Sequence, residues 1–555
     1  VTAGTTGFAR GFAVITLLCS ACTGSIDARD PEELCTDESN AAPERPEVMA
    51  PAPGLIDVIA DDLVIRTSAF ADPDEGAAHD RTEFEIWRLA AGEPVLRVWH
   101  AEVEAESGGD LTTVRLADGT FEVGVTLDEW ADYGVQARYG DGQDCSAFSE
   151  WSPMRPFRTD DGSSLWFQQD LIHDVRITIP EASWGPIDAQ ASPPGCVPFL
   201  REYYTGSIEV DGQVFDGVGV RTKGGCGSSR SLSQKASFKI NLSWDDPAVE
   251  GCPEERRSHG LKRFTFNNQV QDRSFVHEML AYRFYQLMGV ATPRANHVRV
   301  FVKRGEGEFE LWGLYLNLES LDRRFLSRWF DSKDGMLYEG TYWCDLIPGN
   351  VPPADEDTYC ISRKFHPNTC EATAAGGDPE DYTVVRDMVQ ALNDGYPVGS
   401  FYPEIEAIWD FDAFLSLWAV ENIIGHWDGY TIQIVNNYRI YHDPSTGKWS
   451  IIPTGVDQTF GQNTALDQMA GILAQRCWQE QDCQDAFKAR VAQAVDVFEQ
   501  ADLQSMAAAI RDQIGPAVME DPRKEGSYDE MVNGVQATIN FIDARPAAVR
   551  ASLGL

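Results

Sequence analysis

The sequence predicts a multidomain chain in which an all-β sandwich precedes a mixed α/β domain. Two observations carry this reading. Short β-rich runs separated by turn residues fill residues 54–160, and from residue 161 onward strands alternate with helical patterns. The 555 residues exceed one ordinary core, and a hydrophobic share of 43% excludes wholesale disorder.

Residues 1–22 read as an export signal. Arg10 precedes a short apolar run, Gly11 to Leu18, and then come Cys19, Ser20, Ala21 and Cys22. The run falls well short of the ~20 apolar residues that span a bilayer. Small residues before a cysteine predict a cell-surface or periplasmic lipoprotein with lipid on Cys22, secretion after plain cleavage being the alternative. Residues 23–53, acidic and rich in Pro and Ala, read as a tether.

Formal net charge is −42 and the pI about 4.4. Such a surface repels phosphate backbones, so nucleic acid is not an expected partner, and membrane contact is expected only through the lipid. Of the 12 cysteines, those beyond the signal form an even set without a CxxC pair, which favours disulfides over metal. Cys477 and Cys483 are expected to close a small surface loop, while the other pairings stay open.

Within residues 54–160 the strand signals are 63–70, 82–89, 94–103, 120–125 and 133–140. The segment Ala137-Arg-Tyr-Gly, Ser149-Glu-Trp-Ser152 and Phe157-Arg-Thr159 resembles the last two strands of a fibronectin type III domain, normally a spacer or adhesive unit. Farther along, 206–224 alternates as two strands around Asp211-Gly212, and 235–242 is a third strand. Phe275 to Met288 has helical spacing with Gly289 as its C-cap. Residues 297–304 and 311–319 form a hairpin, Phe411 to Ile424 a hydrophobic helix, and 438–455 another hairpin. Asp410 and Asp412 sit where carboxylates cap a helix.

Five blocks in order carry a second resemblance, over about residues 165–465. They are Gly219-Val-Arg-Thr-Lys-Gly224 with Ser228, Ser229 and Lys235-Ala-Ser-Phe-Lys239; Phe266-Asn-Asn268 with Asp272-Arg273; Trp312-Gly-Leu-Tyr315 with Glu319; His426-Trp-Asp428 with Asn436-Asn-Tyr438; and Asp457-Gln-Thr-Phe-Gly461. Together they resemble the spore-coat protein H (CotH) kinase family. The resemblance implies an atypical protein-kinase-like domain over residues 161–555, using ATP and Mg²⁺ to phosphorylate Ser or Thr of a surface or coat protein.

Phosphoryl transfer needs donors around the phosphates, a cation, carboxylates for the metal and a positioned base. The loop 224–229, with Gly224, Ser228 and Ser229 beside Arg221, can supply donors, although a plain hairpin turn has the same composition. Lys235 and Lys239, an even number apart, are expected on one face of a strand, and the family match makes Lys235 the candidate for the phosphate contact, with Lys239 as a neighbouring contact. Glu278, on the following helix, is expected to orient that lysine, with a surface carboxylate as the alternative. Asp428 is the expected base, and Asn437 and Asp457 the expected metal ligands, in the order kinases use. His426 is read as shaping the Asp428 loop. One departure stands out: the family commonly carries an aspartate where this chain has Gly455, which weakens the expected metal site unless the backbone there requires glycine. A surface scaffold or adhesion protein that has lost catalysis is therefore the rival expectation.

Overall fold

The computed structural model describes residues 40–52, 58–60, 63–105, 110–124, 126–142, 148–191, 201–225, 227–246, 255–351, 360–363, 382–397 and 399–554. The export signal lies outside them. The first strand, β1 (Val48–Ala50), falls inside the segment read as a tether and pairs with β3 (Val64–Thr67), so the folded unit starts earlier than expected. With β2 (Val58–Ile59), β4 (Arg81–Ala90), β5 (Glu93–Glu104), β6 (Thr113–Arg115), β7 (Thr120–Phe121), β8 (Asp132–Gly140) and β9 (Arg155–Asp160) it makes two sheets, β1-β3-β6 and β2-β9-β8-β4-β5-β7, over one core. Alternate residues of β8, Tyr133, Val135, Ala137 and Tyr139, are buried, as a strand with one face on a core requires. The Ser-x-Trp-Ser turn has a local cause: Ser152 Oγ accepts the Ala137 N–H and Ser149 Oγ the Tyr139 N–H, each at 3.0 Å. These bonds satisfy backbone donors of β8.

A closed seven-stranded barrel follows, built from β10 (His173–Ile179), β11 (Tyr204–Val210), β12 (Gln213–Lys223), β13 (Ser237–Asn241), β14 (Arg263–Asn267), β15 (Ala295–Arg304) and β16 (Glu310–Leu318) in the order β10-β11-β12-β13-β14-β16-β15. Helix α1 (Glu181–Asp188) follows β10, and α2 (His277–Leu287) links β14 to β15. The expected Asp-Gly turn joins β11 to β12, with Asp211 and Gly212 both at positive φ. Strand parity sorts the side chains. Val218, Val220, Phe238, Ile240, Phe264 and Phe266 fill the barrel, and their alternates Arg221, Lys223, Lys239, Thr265 and Asn267 lie on its outer face.

The remainder comprises α3 (Arg323–Trp329), β17 (Met336–Gly340), β18 (Ile361–Arg363), α4 (Thr383–Asp394), α5 (Phe401–Ile405), α6 (Phe411–Ile424), β19 (Tyr438–Asp443), β20 (Lys448–Pro453), α7 (Ile472–Trp478), α8 (Gln481–Gln500), α9 (Leu503–Glu520) and α10 (Tyr528–Leu553). The four strands form one sheet, β18-β17-β19-β20. Helix α6 is hydrophobic all round because other elements surround it, with Trp418 stacked on Phe487 of α8 at 3.6 Å. Asp410 caps it as expected, accepting the Ala413 N–H, whereas Asp412 pairs with Arg490. Disulfides join Cys344 to Cys360 and Cys477 to Cys483. The second lies at the α7–α8 junction, its two cysteines buried while Gln479, Gln481 and Asp482 of the short segment it closes are exposed, as expected of a small surface loop. Among the described residues no helix is long and apolar enough to cross a membrane.

Just beyond β16, Glu319 is 3% exposed and holds Arg294 at 2.8 Å and Arg328 more closely still. Burial pushes this carboxyl up, but Arg294 and then Arg328 outweigh it and hold it down at about 2. A depressed carboxyl stabilises the fold above its unfolded value and loses that contribution as pH falls toward the folded one. Glu319→Gln, which leaves two buried guanidiniums unmatched, is therefore expected to cost roughly 3 kcal/mol at pH 6. Denaturant titrations should show the gap to wild type narrowing as pH falls from 4.5 toward about 2; a gap of constant size would contradict the assignment.

Candidate active site

A cleft forms where the outer face of β12–β14 meets α2, the α6–β19 loop and the segment after β20. Lys223 ends β12 and Asn267 ends β14, which brings both to the same rim. Lys223 Nζ donates to Asn267 Oδ1, and Asn267 Nδ2 donates to both oxygens of Glu278 at 3.2 Å. Asn267 thus bridges the cation and the carboxylate. Glu278 sits on the first turn of α2, 3% exposed, and its carboxyl is pushed up to about 8, by burial first and then by Asp457. Burial pushes Lys223 down, against the pull of Glu278 and Asp457.

Asp457 follows β20, and its carboxyl is raised to about 6 by burial and then by Asp272, with Lys223 opposing. His277 pins its backbone: Nδ1 lies 2.9 Å from the Asp457 carbonyl and Nε2 lies 2.9 Å from Thr538 Oγ1 on α10. Asp272 in turn accepts the N–H groups of Ser274 at 2.8 Å and His277 at 2.9 Å, fixing the start of α2.

The Asp428 loop begins where α6 stops at Gly425, in the left-handed region with φ 66°. Asn437 Nδ2 donates to Asp428 Oδ2 at 3.0 Å and to the Asp428 carbonyl at 3.2 Å. Asp428 Oδ1 is buried without a hydrogen-bond partner, 3.6 Å from His426 Nε2, which is likewise unpartnered. Burial and then Asp457 raise the Asp428 carboxyl to about 7. His426 is fully buried and pushed down to about 4, and Tyr285 OH lies 3.3 Å from its Nδ1, so it shapes the loop as a neutral ring. Gly455 has φ 58°, and a Cβ there would meet Asn437 Oδ1 at 2.5 Å. Glycine is what the close approach of Asn437 requires, so a carboxylate cannot simply be restored at this position.

The structure brings together Glu278, Asp428, Asn437 and Asp457. It does not bring Lys235 to them. Lys235 lies before β13, outside the strand on which it was expected to face the same way as Lys239. Its ammonium is instead buried against Asp521 at 2.6 Å, over the rings of Tyr315 and Phe275, where it ties the barrel to the α9–α10 junction. The lysine that Glu278 faces is Lys223, and Arg221 and Lys239 flank it on the same outer surface. The turn around Gly224, Ser228 and Ser229 is closed on itself: Ser228 N–H and Ser229 N–H donate to the Gly225 carbonyl, and Gly225 N–H to Ser228 Oγ. Arg201 clamps it through the Gly224 carbonyl at 2.6 Å. The sequence reading missed Lys223, Asn267, Asp272 and His277, although the first block places Lys223 at a strand end on the face of Arg221.

The donors fit a magnesium–nucleotide. Among the described residues no group of three or more His, Cys, Asp and Glu surrounds one point. One carboxylate, Asp457, with Asn437 beside the unpartnered Asp428 Oδ1, suits an ion that takes its other ligands from phosphate and water.

A family model described as CotH kinase protein matches residues 220–549. Inner spore coat protein H of Bacillus subtilis is 23% identical over 312 residues, 53% of this chain and 80% of that protein. Invasins CotH3 and CotH2 of Rhizopus delemar are 25% and 24% identical, the matches spanning 33% and 47% of their lengths. A crystal structure of the Helicobacter pylori proinflammatory kinase CtkA is similar over 60% of this chain at 8% identity, with a TM-score of 0.23 that carries no argument about fold. The match extends beyond the five blocks to include most of the C-terminal helices, and covers more than half of the sequence. The chain belongs to the CotH kinase protein family.

Proposed function

We propose that the domain transfers the terminal phosphoryl group of ATP, with Mg²⁺, to a Ser or Thr hydroxyl of a surface or coat protein. The observation that carries the reading is the bridge Lys223–Asn267–Glu278 beside Asp457, with Asp428 and Asn437 facing it. Protein kinases use the same set of roles: a strand lysine oriented by a helix glutamate, a metal-binding aspartate, a catalytic aspartate and a downstream asparagine. Lys223 holds phosphate oxygens, and Asn267 keeps its ammonium aimed. Asp457 and Asn437 would hold the metal, which would offset charge on the phosphates. Asp428, with one carboxylate oxygen held by Asn437 and the other unpartnered, takes the proton of the acceptor hydroxyl at that free oxygen.

The names of the relatives, a spore coat protein and two invasins, together with two disulfides, support export to the cell surface; Cys22 as lipid anchor rests on the signal-like sequence before it. In this reading the N-terminal sandwich is a fibronectin type III-like spacer that holds the kinase domain away from the membrane.

Asp428→Asn should lower turnover by roughly 10²–10⁴-fold while leaving nucleotide affinity nearly intact. Asp457→Asn should weaken Mg²⁺-dependent nucleotide binding as well as turnover. Radiolabel transfer to a Ser/Thr-rich acceptor, run beside calorimetry of ATP binding, separates the two. Wild-type transfer matched by both variants would sink the site assignment, and wild type that neither binds nor transfers would leave the scaffold reading. The two lysines should also part company. Lys223→Met is expected to abolish transfer at a smaller cost in stability, because Lys223 reaches Glu278 only through Asn267. Lys235→Met, which leaves Asp521 buried without its cation, is expected to cost about 3–5 kcal/mol of stability. Equal loss of activity from both, with equal stability, would return the phosphate contact to Lys235.

A further inference from the structure

The cleft holds more positive charge than one lysine facing one metal site requires. Arg221 and Lys239 are direct cross-strand partners on β12 and β13, and strand parity puts both on the outer face that carries Lys223. Arg439 of β19, the cross-strand partner of Glu339, lies close enough to Lys239 to repel it. Among the described residues Lys239 has no hydrogen bond and no ion pair. Arg221 rests over Tyr203 at 4.9 Å and its Nε is buried without a partner. Arg439 Nε is also buried and unpartnered, and its other contacts, to Glu339 and the Leu321 carbonyl, are long at 3.4 Å. Burial, then Arg221, Arg439 and Lys223, drive Lys239 well below its ordinary value, with Glu339 opposing. In a chain of net charge −42, three cations left this poorly matched are not a by-product of composition.

Like charges drawn together out of water, with N–H groups unsatisfied, cost stability unless something outside the chain matches them. We infer that Arg221, Lys239 and Arg439 form a second anion subsite, beside the one at Lys223, which takes a phosphate group other than the one being transferred. Two guanidiniums and an ammonium suit phosphate oxygens, since forked N–H donors bind them in pairs. The phosphate comes either from the nucleotide itself or from an acceptor that already carries one. The assignment deepens the phosphotransfer reading and rests on it for the identity of the occupant; the binding of phosphate oxygens does not need it.

Tripolyphosphate, which has neither base nor acceptor side chain, is the probe. Calorimetry on the full chain should show that Lys239→Met and Arg439→Gln each weaken its binding at least about tenfold. The ligand-free Lys239→Met protein should melt at a higher temperature than wild type, because a repelled, unmatched cation has been removed, and tripolyphosphate should raise the melting temperature of wild type by more than that of the variant. A lysine with a purely structural role would lower it instead. Transfer assays identify the source: a raised KM for ATP with an unchanged KM for acceptor points to the nucleotide, and a lost preference for a phosphorylated acceptor peptide points to the acceptor. Tripolyphosphate affinity unchanged in both variants overturns the subsite, even if the wild type transfers phosphate. Binding that depends on Lys239 in a protein that transfers nothing keeps the subsite and removes the kinase reading.

Discussion

Glu278, Asp428 and Asp457 are drawn out of water into one cleft, and Lys223 is the cation that faces Glu278 and Asp457, reaching Glu278 through Asn267. Burying carboxylates near one another is expensive, and a single ammonium only partly offsets it. The cost shows in all three groups, each held above the ordinary carboxylate range by burial first. Much of the architecture serves to impose this arrangement. The barrel supplies two strand ends that deliver Lys223 and Asn267 together, α2 supplies Glu278, and the α6–β19 loop with the end of β20 supplies the other two acids.

Rigidity around the cleft comes from interactions far apart in sequence. His277 ties the backbone of Asp457 to α10, and Asp272 locks the entrance of α2. Lys235 and Asp521 fasten the barrel to the C-terminal helices through a pair with almost no exposure. Glu319 does the same between β16, the chain before β15 and α3 through two arginines. The last two join buried charges, so each opposes partial loosening more strongly than an apolar contact would, because separation leaves an unmatched ion behind.

The elements themselves were legible where periodicity was strong. Phe411 to Ile424 is helical over the expected residues, and both hairpins lie where alternation placed them. Asp428, Asn437 and Asp457 could be named because each stands at an element boundary, where kinases also put them. The lysine could not be chosen by parity alone. Spacing put Lys235 and Lys239 on one face, but the strand starts at Ser237, and a lysine outside a strand carries no parity. Its partner Asp521 lies 286 residues away, a separation that no local pattern reports. Gly455 read as a missing ligand because composition shows what a residue lacks; its left-handed backbone and the nearness of Asn437 show what the glycine permits.

The account turns on where a metal and the phosphates of a nucleotide sit relative to these side chains. Anomalous diffraction from crystals grown with Mn²⁺ and a non-hydrolysable ATP analogue measures that directly. A manganese peak within coordination distance of Asp457 and Asn437, with phosphate density against Lys223, is the predicted result. Nucleotide phosphates seated on Lys235, or a metal bound away from Asp457, would contradict it.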